Sequence, residues 1–278
     1  ALTIPAYRWY LPLRKEGATL VANVLPVPRA PRVINVMEVD AFAGFDKRAK
    51  VKAQMIMRGE EAYAIRTSLS SMNAQDAERE IKAFWEKGND WLEADAGSWK
   101  YDEGGAVLRL SVVGTGKLDW KGDDSEGRSL TLFGAGFYPP EEYRRPREQD
   151  QTAPWAAEYG SFRCYATAIR LPPPTAKWKW DYRSKPVQRT LGATTYRRLS
   201  DMSGGVVRTV MSTRVDLPEI SAAQALEVNR QIPGFDNNMS DVIQIGRDQP
   251  LGSHPPFPIV PFTDSTDWMS EKTPCSAP

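Results

Sequence analysis

The chain is poor in the residues that most self-contained hydrolases and metal sites require. Among its 278 residues there is one histidine, His254, and there are two cysteines, Cys164 and Cys275. A metal site built from several histidines is excluded by count, and so is a catalytic relay needing an imidazole at any other position. His254 lies in Gly252-Ser-His-Pro-Pro-Phe-Pro258, where the prolines favour extended chain. An excess of either charge is also missing. Thirty-six basic residues oppose thirty-five acidic ones, so no long-range field draws nucleic acid or anionic lipid. No apolar run approaches the ~20 residues of a membrane-crossing helix. Gly134-Ala-Gly-Phe137 is not continued by Lys-Ser/Thr, which leaves no glycine-rich phosphate loop.

What remains is enough for a core. Hydrophobic residues make up 41% of the chain and aromatic residues 10%, which argues against wholesale disorder. The length suits one large domain or two small ones. The densest basic cluster, Arg144, Arg145 and Arg147, is flanked by Glu141, Glu142 and Glu148 and reads as a solvated, self-neutralised face. The chain opens at Ala1 rather than Met, as expected of processed or trimmed protein. Two cysteines so far apart fit a free pair, one long-loop disulfide, or an extracytoplasmic protein with little disulfide dependence.

Hydrophobic periodicity divides the chain. Residues 1–35 are punctuated by proline and read as extended chain with one or two edge strands. Alternation at 34–42 and 50–58 predicts strands, with Val51, Ala53, Met55 and Met57 on one face. Ala62, Ile65 and Leu69 then recur at helical spacing. A second helix is predicted from Asn73, as N-cap, to Lys87, with Ala77, Ile81, Phe84 and Trp85 as its apolar stripe. From Trp91 to Leu132 the pattern is β, with turn signals at Gly97 and Gly104-Gly105 and a polar loop at 121–128. Residues 133–160 read as a long irregular connection. Strands resume at 162–171, 178–182, 193–200 and 206–215, the last two joined by Gly204-Gly205 as a hairpin. Ser221-Ala-Ala-Gln224 reads as a capping box opening a helix to about Ile232.

The expected fold is therefore mainly β with a few helices, as antiparallel β-sandwich-like unit(s). An extended Pro-rich segment (1–35) precedes a β-rich unit with helices (36–132). A second β-rich unit with a C-terminal helix (133–245) and a Pro-rich tail (246–278) follow. Both ends carry apolar residues: Ile4, Tyr7, Trp9 and Leu11 at one, and Phe257, Ile259, Val260, Phe262 and Trp268 at the other. Such ends are expected to lie on the domain's own flank or on a partner.

Few constellations carry chemistry. Cys164 sits in the alternating Ser161-Phe-Arg-Cys-Tyr-Ala-Thr-Ala-Ile169. It reads as a buried structural cysteine before it reads as a nucleophile, because neighbouring Arg163 projects from the opposite strand face. Cys275 is a disulfide partner or a free tail thiol. Cys164, His254 and Asp264 or Asp267 follow the chain order of a papain-like triad, but no turn opens a helix at Cys164. The pairs Asp123/Asp124, Asp90/Glu93 and Asp264/Asp267 are of the kind that serves glycoside hydrolysis or calcium binding, but the loop Lys121–Gly127 lacks Asp-x-Asp-x-Asp-Gly spacing and reads as a solvated turn before a weak cation site. Trp178, Trp180 and Tyr182 share one strand face. That face reads first as core and second as a stacking platform for sugar rings. No catalytic residue, metal ligand or cofactor is predicted.

Several stretches resemble one group of bacterial proteins: Met57-Arg-Gly-Glu-Glu-Ala-Tyr-Ala-Ile-Arg66, Gly116-Lys-Leu-Asp-Trp120, Gly134-Ala-Gly-Phe-Tyr-Pro-Pro140, Asp150-Gln-Thr-Ala-Pro154 and Pro233-Gly-Phe-Asp-Asn-Asn-Met239. Together, over roughly residues 35–245, they resemble the region after the catalytic domain in alphaproteobacterial transglutaminase-like proteins that carry an N-terminal β domain of unknown function. The resemblance implies a periplasmic or cell-surface location. It also implies a protein partner: the catalytic domain of the same precursor, or a cell-envelope protein. The family's catalytic Cys, His and Asp match no positions here, so the expected role is a non-catalytic accessory or binding module. The alternatives are a stand-alone cysteine-dependent acyltransferase or peptidase, and a carbohydrate-binding module using Trp178, Trp180 and Tyr182.

Overall fold

A computed structural model describes residues 9–15, 17–23, 27–134, 136–137, 140–235, 240–252, 254 and 265–276. The expectations at Ile4, Tyr7, Phe257, Ile259, Val260, Phe262 and Asp264 fall outside the described residues, as do residues 236–239 of the last resembling stretch.

The chain is mainly β. A ribbon of β1 (Trp9–Tyr10) and β2 (Val21–Ala22) comes first. β3 (Val33–Asp40) and β4 (Ala49–Arg58) follow, then helices α1 (Glu60–Ser70) and α2 (Ala74–Gly88), then β5 (Leu92–Asp102) and β6 (Val107–Gly116). β7 (Lys121–Asp123) and β8 (Gly127–Thr131) precede the long connection, whose described residues hold β9 (Trp155–Ala156). β10 (Phe162–Arg170), β11 (Trp178–Arg183), β12 (Val187–Leu191), β13 (Thr194–Ser203) and β14 (Val206–Val215) form the next block. β15 (Glu219–Ile220), α3 (Ala222–Gln231) and β16 (Asp241–Gly246) complete the order.

An eight-stranded sheet runs β12-β13-β14-β10-β3-β4-β6-β5. All neighbours are antiparallel except β10 and β3, which pair in parallel from Arg163 opposite Val33 to Arg170 opposite Asp40. The sheet thus draws strands from both of the β-rich units read in the sequence. A four-stranded sheet, β11-β16-β8-β7, covers part of one face. Leu130, Leu132, Trp180, Tyr182 and Val242 of that region share a core with Val39, Val51 and Ala53 of the large sheet. This gives the sandwich-like arrangement.

Local chemistry explains the helices. The Asn73 side chain accepts a hydrogen bond from the Asp76 N–H at 2.9 Å, satisfying one of the first-turn donors of α2. At α3, Ser221 and Gln224 make the reciprocal capping box. Gly204 and Gly205 both have positive φ, 59° and 73°, as a tight hairpin between right-handed twisted strands requires.

Two local expectations are corrected. Residues 121–128 are not simply a polar loop, because β7 and β8 pair as a hairpin from Lys121–Ser129 to Asp123–Gly127. Nor is Gly97 a turn, since β5 runs through it with a bulge between Ala94 and Ala96. A Cβ at Gly97 would lie 3.0 Å from Ile81 Cγ2 and 3.1 Å from the Glu78 carbonyl oxygen. That glycine admits α2 close to the sheet. Local pattern predicts neither β12 nor β16: Val187–Leu191 is short, and Asp241–Gly246 adjoins the proline-rich tail.

The opposite face of the large sheet is covered by the C-terminal tail. Trp268 and Cys275 are buried against Ile34, Ile56, Ala166 and Val210. Cys164 on β10 is fully buried and disulfide-bonded to Cys275, with Cα atoms 5.9 Å apart. The Arg58 guanidinium donates to the carbonyls of Trp268, Met269 and Ser270, at 3.3, 3.0 and 2.8 Å. The described tail therefore lies on the domain's own flank. Trp9, Tyr10, Leu11, Leu13 and Leu20 of the N-terminal ribbon are instead exposed, Leu13 by 88%.

Candidate functional site

The strand predicted to carry a stacking face is β11, and the structure distributes its aromatic residues differently. Trp180 is buried. Its indole N–H donates to the Pro172 carbonyl at 2.7 Å, and its ring packs on Trp120 and Phe45. Trp178 is half-buried; its N–H donates to the Asp124 carbonyl at 3.2 Å, and Lys177 lies over the ring. Tyr182 is buried, with His254 stacked on it at 4.1 Å between ring centroids. Trp178, Trp180 and Tyr182 thus form no open platform. Their faces are taken up by the protein.

The side chain between Trp180 and Tyr182 is the one that sequence reasoning missed. Asp181 is buried, yet its two oxygens accept three short hydrogen bonds. The Tyr182 N–H donates to Oδ1 and the Gly252 N–H to Oδ2, both at 2.8 Å, and His254 Nε2 lies 2.6 Å from Oδ1. Burial pushes the Asp181 carboxyl up, but the Gly252 and Tyr182 N–H groups and His254 outweigh it and hold the group below its ordinary value. Beside this pair lies a cavity of about 710 Å³, lined among others by Arg183, Lys185, Arg198, Asp241 and Ser184. Arg198, also buried, donates to the Lys185 carbonyl at 3.1 Å. Ser184 hydroxyl contacts Ser200 and Ser240, each at 2.7 Å. The only sequence signal for the corner was the alternation of Asp181 with its aromatic neighbours. Its partner is 73 residues away.

The other chemical candidates are used structurally. Cys164 has no thiol to offer, because the disulfide consumes it. His254 pairs with Asp181 and not with Asp267, which accepts from the Met269 N–H at 3.1 Å. Asp123 accepts from the Ser125 hydroxyl and from the N–H groups of Ser125 and Glu126, closing the β7–β8 turn. Glu93 pairs with Arg48 at 3.0 Å. Within the basic cluster, Arg144 pairs with Glu142. Arg145 instead clamps the long connection, donating to the carbonyls of Asp150, Ala153 and Pro154 and lying over the Trp155 ring. Among the described residues no group of three or more His, Cys, Asp or Glu side chains is placed to hold a metal ion, and no helix is long and apolar enough to cross a membrane.

No protein-family model matches the chain, and neither a curated protein nor a solved structure does.

Proposed function

We propose that this chain is a non-catalytic accessory or binding module, the C-terminal part of a periplasmic or cell-surface transglutaminase-like protein. The observation that carries the reading is the N-terminal ribbon. Trp9, Tyr10, Leu11, Leu13 and Leu20 expose half or more of their surface, or close to it, on one short hairpin. Large apolar side chains left exposed together on one short segment point to an interaction site. The partner fitting the sequence resemblance is the catalytic domain of the same precursor. The disulfide supports an oxidising compartment, where such bonds persist. The thiol and imidazole that an acyltransferase needs are engaged at separate places, one in the disulfide and one on Asp181.

The experiment mixes this chain with the adjoining segment of its natural precursor and measures association by sedimentation. Association is expected. Trp9→Ser with Leu13→Ser is expected to weaken it about tenfold or more, as for anchor residues at an interface, without lowering the melting temperature. Failure to associate, or acyl-transfer activity in the isolated chain, overturns the reading.

A further inference from the structure

α1 and α2 cover the large sheet incompletely. α1 packs on β4 and β6, and α2 on β5 and β6, while β3 and β10 continue the sheet beyond them. The space between the helices and those strands is an apolar groove of about 480 Å³. A second cavity of about 290 Å³ adjoins it and shares Asn35, Met55, Phe84 and Tyr165 with it. Met55, Met57, Met72, Ile65, Phe84 and Tyr165 supply most of the apolar lining. Phe84 belongs by periodicity to the core stripe of α2, yet it is 47% exposed at this groove, and Met72 and Tyr165 are 37% and 38% exposed. Large apolar side chains left open on a concave surface mark a binding site, and methionine side chains adapt to varied partners.

The charges along the groove select the occupant. Glu61 of α1 and Glu80 of α2 line it, and Arg163 of β10 is the one cation in the lining. None of the three makes an ion pair or side-chain hydrogen bond among the described residues. Two unpaired carboxylates against one guanidinium repel an anionic head group, which argues against a fatty acid and against nucleic acid. They suit a cation beside an apolar stripe.

We infer that this groove docks an amphipathic polypeptide segment whose apolar side chains enter between Met72, Phe84 and Tyr165 and whose basic edge faces Glu61 and Glu80. The mode is that of a helix laid in a methionine-lined groove. The surface is separate from the N-terminal ribbon, and the inference stands without the reading given for that ribbon.

The test titrates the full chain into a fluorescently labelled peptide of leucine and lysine, with leucines at i, i+3, i+4 and i+7, and reads anisotropy. A peptide with glutamate in place of lysine, and palmitate as competitor, are the comparison probes. Saturable binding of the lysine peptide is expected, weaker by about tenfold or more for the glutamate peptide and for Phe84→Ser. Glu61→Lys with Glu80→Lys is expected to reverse the preference between the two peptides. These substitutions lie at exposed positions, and an unchanged melting temperature separates lost docking from lost folding. Three results overturn the inference: equal affinity for the two peptides, binding unaffected by Phe84→Ser, or displacement of the lysine peptide by palmitate. Self-association of the chain that Phe84→Ser abolishes also overturns it, because the groove's occupant is then a second copy.

Discussion

His254 lies flat on Tyr182, with ring centroids 4.1 Å apart and planes within 9° of parallel, while its Nε2 sits 2.6 Å from the buried Asp181 carboxylate. This contact, with the Gly252 N–H on the other Asp181 oxygen, ties the start of the C-terminal tail to the small sheet. The single histidine of the chain is therefore an anchor in this structure, and the carboxylate that holds it defines the first measurable consequence.

Asp181 has a folded-state value below its ordinary 3.8. The unfolded chain then binds its proton more readily than the folded chain. The stability due to this group is complete above that ordinary value and is lost as pH falls through and below it. Thermal melts from about pH 7 to about pH 3 are expected to show a steeper acid loss for the natural chain than for Asp181→Asn. At neutral pH, Asp181→Ala is expected to lose about 1–3 kcal/mol, because the Gly252 and Tyr182 N–H groups lose their acceptor. Parallel acid profiles for the natural and Asn forms remove Asp181 as their cause.

The Cys164–Cys275 bond closes a sequence separation of 111 residues. Reduction, or Cys164→Ser with Cys275→Ser, is expected to lower stability by about 2–5 kcal/mol, chiefly by freeing the unfolded chain. Free-thiol titration of the folded, unreduced chain is expected to find none. Two reactive thiols there are the contrary result.

Leu110 and Ile169 are both buried in the main core. Leu110→Ala and Ile169→Ala are each expected to cost about 2–5 kcal/mol in denaturant unfolding, through lost burial and the cavity left behind. A change within about 0.5 kcal/mol at both sites is the size expected of surface substitutions and counts against the packing described.

Gly97 provides a sharper test of topology. Its missing Cβ makes room for Ile81 Cγ2 and the Glu78 carbonyl. Gly97→Ala is expected to destabilise by about 1–3 kcal/mol, as overpacking does. Turn residues with open surroundings tolerate such a change. A neutral result from chemical denaturation places α2 further from β5 than the structure does.

Much of the secondary structure was legible in local pattern. The strands at 50–58, 162–170 and 206–215, the three helices and both N-caps follow from side-chain period and capping chemistry, which act over a few residues. Gly97 was not legible as a point of close approach. A glycine in a strand carries the same letter whether the chain turns there or a helix leans on it. Phe84 differs for a related reason: period puts it on the stripe of α2, but α2 packs on β5 and β6 and leaves Phe84 over the groove beside β3 and β10. β16 was hidden because Asp241–Gly246 is a strand only when β11 and β8 lie on either side.

By itself the sequence determined what chemistry is unavailable and which segments alternate or cap, since composition, period and hydrogen-bonding side chains are local properties. Only the tertiary structure decided which distant groups meet. It paired Cys164 with Cys275 rather than leaving either thiol free. It set His254 on Asp181 and Tyr182 rather than beside a cysteine. It joined β3 to β10 in parallel across more than a hundred residues, and it left Phe84, Met72 and Tyr165 facing an open groove. The physical reason is that burial and long-range pairing depend on the summed packing of whole sheets and helices, which no short window of residues contains.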